Sequence, residues 1–204
     1  MTHSVRQSGV GLIEILITLV ILAIGLLGVA SLQFVGSFAN KDAISRTQSE
    51  LVAQQVAERL RAAARAATVG DGLVVHNDYF SADTYNFAKL SCSGGSHPYK
   101  CFCLSRPADV PNCEDGECNE AEMAEYDGWS LSCSAVQTNP LTVLSVSCND
   151  NKAGDPDVCS AGSRVEIMLQ WPVSSSANRQ YTLNNRCNPA EGDSFACVFK
   201  DITL

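Results

Sequence analysis

Hydrophobic and polar positions divide the chain into an apolar start and a patterned remainder. From Ile15 to Leu32 there are 18 residues without a charge or a proline. That length suffices for a transmembrane helix. With Val10 to Ile13 included, such a helix would rise about 35 Å, against a hydrocarbon core of roughly 30 Å. A polar leader, Met1 to Gly9, precedes the run and carries one fixed positive charge, Arg6. After Glu14 no charge occurs until Lys41. Arg6 would keep the leader on the cytoplasmic side, although Lys41 and Arg46 beyond the run weaken that asymmetry.

The helical pattern continues past the apolar run. Leu51, Val52, Val56 and Leu60 form a stripe of 3.6-residue period. Asp42 and Arg46, then Arg46 and Glu50, stand four apart on the solvated side. Alanine dominates from Ala62 to Ala67, and Gly70 and Gly72 then stop the helix. The expectation is one helix from Leu12 to Ala67, on the order of 80 Å long. Its first half would lie in lipid. The stripe on its second half would face a globular domain.

Beyond Gly72 the period shortens to two. Val165, Ile167, Leu169 and Trp171 alternate with Glu166, Met168 and Gln170, which predicts a strand. Leu141 to Ser147 and Trp129 to Ala135 read as two more, separated by the Asn139-Pro140 turn. Gln180 to Leu183 and Ala196 to Ile202 are the predicted fourth and fifth. Short connections favour antiparallel pairing. The stretch from Asn86 to Tyr126 reads as a loop-rich insertion held by disulfides, with a short helix at Glu120 to Tyr126. The fold class is therefore α+β, with a long N-terminal helix on an antiparallel sheet. The expected divisions are a leader at 1–9, an apolar helix at 10–36, its continuation at 37–69 and a globular head at 70–204.

Composition narrows the setting. The net charge is −8, and loss of Arg6 with the leader would make it one more negative. Such a chain is a poor ligand for a phosphate backbone, so no nucleic acid is expected. All ten cysteines lie beyond the apolar run: Cys92, Cys101, Cys103, Cys113, Cys118, Cys133, Cys148, Cys159, Cys187 and Cys197. An even number on one side of a membrane anchor points to disulfides in an oxidising compartment. Ten cysteines permit on the order of a thousand complete pairings, so spacing leaves the connectivity open.

Metal and catalytic chemistry find little support. Zinc sites use closely spaced ligand pairs of the CxxC kind. Cys101-Phe102-Cys103 and the Cys113/Cys118 spacing do not form them, and His97 lies near only one. Asn149 to Asp155 faintly resembles a calcium loop, but its fifth position lacks an acid and Ser160 stands where the closing glutamate belongs. Cys148 and Cys159 bracket it, which favours a disulfide-closed turn. No nucleophile elbow, phosphate loop or HExxH occurs. Neither a catalytic residue, a metal nor a cofactor is expected.

Glu14 is the anomaly in the apolar run. A carboxylate there costs on the order of 3 kcal/mol to insert at mid-membrane and needs a partner. Cutting the chain after Gly9 would create a cation, the α-amino group of Val10, four residues before Glu14. In a stack of subunits, the amine of one could meet the carboxylate of the next.

Gly9-Val10-Gly11-Leu12-Ile13-Glu14, followed by the long apolar helix, resembles the class III signal of type IV pilins and pseudopilins. The resemblance covers roughly residues 6–65. Leu22 to Gly28, reading LAIGLLG, is similar to minor pilins of the PilV type. Two positions depart: Val10 stands where Phe is usual, and Gly11 where Thr is frequent. The resemblance implies cleavage after Gly9 by a prepilin peptidase, N-methylation of Val10, and a role for Glu14 in subunit register. It implies a structural subunit, anchored in the bacterial inner membrane with its head in the periplasm and then built into a pilus. Its partners would be major and minor pilins through the helix, and a tip adhesin, in support of adhesion and twitching. A pseudopilin of type II secretion would share the anchor. A secreted protein with an ordinary signal peptide would instead be cut after Ala30, where Gly28-Val29-Ala30 supplies small residues.

Overall fold

The structure is a computed structural model that describes residues 11–68, 70–92, 97–152, 154–173, 183–190, 192 and 194–204. Two compact units result, 1–44 and 45–204. Helix α1, Leu12–Ala62, runs through both.

Within the first unit the helix exposes its apolar side chains all round, from Leu12 to Phe38. An 18-residue window here has mean hydropathy 2.8 and none of it is buried. By length and composition the helix can cross a membrane. Phe34 and Phe38, one turn apart, meet edge to face with ring centroids 4.6 Å apart.

The second unit is an α+β head. Val52, Ala53, Val56, Ala57 and Leu60 bury one face of α1 there. Leu51, read as part of that stripe, is exposed instead. One helical position is about 100° from the next, so Leu51 lies about 140° from the centre of the face that Val52, Val56 and Leu60 share and points away from the core.

Helix α1 stops at Ala62, five residues before the end that the alanine run predicts. The run has the intrinsic propensity to continue, but tertiary contacts override it. Arg65–Ala66 forms strand β1, which pairs antiparallel with β2, Leu73–Val74. Arg65 Nε also faces Glu120 Oε2 at 2.9 Å. Gly70 and Gly72 make the turn between β1 and β2, both at positive φ. At Gly72 a Cβ would lie 2.6 Å from that of Ala161, so only glycine fits.

Two 3₁₀ turns, Asn77–Phe80 and Ala82–Thr84, lead to the short helix α2, Pro98–Phe102. Helix α3, Glu120–Thr138, follows. It corrects the strand expected at Trp129 to Ala135 and extends the short helix expected at Glu120 to Tyr126. Asn119 caps it: its side chain accepts from the Glu122 amide and the Glu122 carboxylate accepts from the Asn119 amide, each at 2.9 Å. Buried Ala124, Gly128, Leu131 and Ala135 recur at helical spacing. Ser132 and Ser134 donate back to the carbonyls of Gly128 and Ser130, so a serine at every second position is satisfied inside a helix.

The main sheet has the order β3-β4-β5, all antiparallel: Val143–Asn149, Arg164–Pro172 and Phe195–Thr203. These match three of the expected strands. Of the remaining one, Gln180 to Thr182 lies outside the described residues and Leu183 is not in a strand. Leu144 pairs with Leu169, and Leu169 with Val198, which sets the register. The inner face, including Leu144, Val165, Ile167, Leu169, Trp171, Val198 and Ile202, joins the buried faces of α1 and α3 in one core.

Candidate functional site

Two regions carry polar chemistry that packing alone does not demand: the N-terminal turn of α1, and a set of polar clusters in the head.

Glu14 lies in the first turn of α1, and its amide donates to the Gly11 carbonyl at 2.9 Å. A carboxylate there is favoured by the positive end of the helix dipole. The side chain is exposed, and no described side chain pairs with it. What the turn presents is thus an outward acid in an otherwise apolar surface. Gly9 and Val10 lie outside the described residues.

The ten cysteines form five pairs: Cys92–Cys101, Cys103–Cys133, Cys113–Cys118, Cys148–Cys159 and Cys187–Cys197. Their Cα separations run from 5.5 to 6.4 Å, as disulfides require. The Cys103–Cys133 bridge ties the end of α2 to α3. Beside it, Trp129 Nε1 donates to the Phe102 carbonyl at 2.8 Å, and Phe102 stacks on Phe87 at 4.6 Å. Cys148–Cys159 closes the loop that resembles a calcium site. Inside it, Asp150 accepts from the Ser160 amide at 2.9 Å and from Ser163 Oγ at 3.1 Å. Those bonds, from Ser160 first, hold the Asp150 carboxyl down at about 2. Asp155 accepts from Ser160 Oγ at 3.0 Å. Asp150 and Asp155 therefore serve the loop itself. Among the described residues no three His, Cys, Asp or Glu side chains converge as metal ligands.

A buried polar node joins three elements of the head. Tyr79 Oη donates to Asp127 Oδ2 at 2.7 Å, and Tyr85 Oη donates to the Tyr79 carbonyl at 2.9 Å. Asp127 is 2% exposed. Arg59, half-exposed near the end of α1, brings its guanidinium within 3.1 Å of Asp127 Oδ1. Burial lifts the Asp127 carboxyl above its ordinary value, against the opposing pull of Tyr79 and Arg59. Burial also lifts the hydroxyls of Tyr79 and Tyr85. Next to the node, Gly128 approaches Thr84 so closely that a Cβ would lie 2.3 Å from the Thr84 carbonyl oxygen.

Two asparagines act on the sheet in the same way. Asn86 Nδ2 donates to the Leu144 carbonyl at 2.7 Å, and its Oδ1 accepts from the Leu144 amide at 2.9 Å. Asn188 treats Phe195 alike, at 2.9 and 2.7 Å. Asn86 has φ 57°, a left-handed conformation that asparagine tolerates better than most residues. Its own amide donates to Ser132 Oγ at 2.8 Å. On the outer sheet face Arg164 pairs with Asp201 and Arg186 with Glu166, while Arg186 lies 4.0 Å over the Phe199 ring. The hydrogen bond from Arg164 holds the Asp201 carboxyl below its ordinary value. Neither the node nor the asparagines stand out in the sequence, where Asp, Asn and Gly read as turn residues.

Residues 5–30 match the family model described as the prokaryotic N-terminal methylation motif. The match takes in Gly9, Val10 and Glu14. It supports a type IV pilin-like or pseudopilin protein, processed by a prepilin peptidase, whose N-terminal helix anchors it in a membrane before assembly. Neither a curated protein nor a solved structure matches the chain.

Proposed function

We propose that this chain is a minor type IV pilin of the PilV type, a structural subunit and not an enzyme. The observation that carries the reading is Glu14: one outward carboxylate in the first turn of an exposed apolar helix, five residues after Gly9, within the methylation motif. The peptidase would cut after Gly9 and methylate the new amine of Val10. That amine would pair with Glu14 of an adjoining subunit, setting axial register as helices pack side by side. An unpaired carboxylate is costly in hydrocarbon, so pairing favours assembly over residence in lipid. The disulfide-bonded head would lie in the periplasm and then on the pilus, as part of a tip complex with other pilins and an adhesin, supporting adhesion and twitching.

A cut after Ala30 fits less well. Ala30-Ser31 falls inside the unbroken helix Leu12–Ala62, and the cut would discard Glu14. A type II secretion pseudopilin shares the motif, and the two are separated by where the subunit goes. The test has two stages. The mature protein should begin at methylated Val10; a start at Ser31 or Met1 would end the assembly reading. Glu14→Ala should then leave membrane levels unchanged while incorporation into sheared pili falls at least about tenfold, the effect of roughly 1.4 kcal/mol or more. Normal incorporation would remove Glu14 from the mechanism.

A further inference from the structure

The five disulfides are not all between neighbouring cysteines. Cys92–Cys101, Cys148–Cys159 and Cys187–Cys197 join consecutive ones. The middle four depart from that order, because Cys113–Cys118 is nested inside Cys103–Cys133. A head that follows an N-terminal anchor enters its oxidising compartment from the N-terminal side. Cys103 and Cys113 therefore arrive before Cys118, and Cys118 before Cys133. Loop closure favours the 10-residue separation of Cys103 and Cys113 about fivefold over the 30-residue native one, and native Cys113–Cys118, five apart, competes for Cys113 only after Cys118 has entered.

The native bridge also needs structure that is not yet made. Cys133 lies well inside α3, and it meets Cys103 only when α3 has packed on α2. The alternative, Cys118–Cys133, is incompatible with α3. Thirteen residues of helix separate Glu120 from Cys133, a rise of about 20 Å, whereas a disulfide needs Cα atoms within about 7 Å. Sequential pairing thus holds the region unfolded and its sulfurs accessible, and the native pairing removes them into the fold.

We propose that maturation of this head requires a thiol–disulfide isomerase, which converts sequential Cys103–Cys113 and Cys118–Cys133 into native Cys103–Cys133 and Cys113–Cys118. The conversion takes three exchanges. The catalyst's thiolate attacks Cys118 Sγ, forming a mixed disulfide and releasing the Cys133 thiolate. Cys133 attacks Cys103 Sγ, forming the native long bridge and releasing the Cys113 thiolate. Cys113 attacks Cys118 Sγ in the mixed disulfide, closing the short bridge and returning the catalyst's thiolate. Each exchange forms one S–S bond and breaks one, with no net oxidation. The sequential bridges themselves come from a disulfide-donating oxidase, which takes up the two electrons and two protons of each pair.

This inference rests on the periplasmic placement proposed above, and the experiment separates the two. The full chain is expressed with its native leader in isogenic cells with and without periplasmic disulfide isomerase. Free thiols are alkylated, and disulfide-linked peptides are quantified by mass spectrometry. Without isomerase, the Cys103–Cys133 peptide pair should fall about fivefold, while Cys148–Cys159 and Cys187–Cys197 persist. In Cys113→Ser/Cys118→Ser every remaining native pair is consecutive, so Cys103–Cys133 should form equally in both strains. A purely structural role for the inner bridge would not restore that independence. Equal native pairing of the unmutated chain in both strains would overturn the isomerase requirement and leave the placement standing. Ten alkylated thiols in both strains would overturn the placement, and the requirement with it.

Discussion

Asp127 offers the sharpest test of what holds the head together. Asp127→Ala removes the acceptor of the Tyr79 hydroxyl, and that hydroxyl lies in a site closed to water. A buried donor left unsatisfied costs about 1–3 kcal/mol. Arg59 also loses its partner, but its side chain is 49% exposed and regains water, so that loss is at most about 1 kcal/mol. The sum is about 1–4 kcal/mol of head stability. Tyr79→Phe should cost about 1–3 kcal/mol, because it leaves a carboxylate oxygen buried and unpaired. Combined in a double-mutant cycle, the two should couple by about 1.5–3 kcal/mol. Both tryptophans, Trp129 and Trp171, lie in the head. Tryptophan fluorescence during urea denaturation, with disulfides intact, therefore reports on the head alone. Acidity supplies a second readout. Burial raises the folded-state pKa of Asp127, so the folded head holds this proton more tightly than the unfolded chain. Relative to Asp127→Asn, the unmutated head should gain stability as pH falls through the folded value and lose it as pH rises through the same range. A change below about 0.5 kcal/mol in Asp127→Ala, or additive single effects, would refute the node as a determinant of stability.

Two further outcomes follow from close approaches. Gly128→Ala should destabilise the head by about 2 kcal/mol or more in the same assay, since its Cβ would meet the Thr84 backbone carbonyl as well as the Thr84 methyl, and the carbonyl cannot swing aside. Asn86→Gly keeps the left-handed turn but gives up both bonds to Leu144; it should cost about 1–3 kcal/mol and speed hydrogen exchange of the Leu144 amide.

Legibility in the sequence followed the range of the interactions. The apolar run and Glu14 are local facts, and the methylation-motif match falls on them. Alternation in Val165 to Trp171 gave β4, because one face of that strand is buried and the other is not. The same logic failed at Trp129 to Ala135. There the serines alternate with larger residues as in a strand, and the decision rested on Asn119 and Glu122, which cap the helix ten residues earlier. The end of α1 was misplaced because alanine propensity is local, whereas the β1–β2 ladder and the Arg65–Glu120 pair are not. Cysteine connectivity was unreadable for a related reason: Cys103 and Cys133 are brought together only by α2 and α3 packing. Asn86 and Asn188 carry no signal at all, since an asparagine that mimics a strand looks like one that makes a turn.

Those two asparagines bear on what the borders of the sheet can accept. Both outer strands of a three-stranded sheet offer unpaired backbone groups, and such borders invite further strands from neighbouring molecules. Here each border is stoppered twice. On β3, Asn86 occupies the amide and carbonyl of Leu144, and Cys148 is bound to its own loop. On β5, Asn188 occupies those of Phe195, and Cys197 is bound to Cys187. An incoming strand would have to displace a two-point amide contact and then pass a covalent strap. Strand addition at either border is thereby opposed by contacts within the head itself.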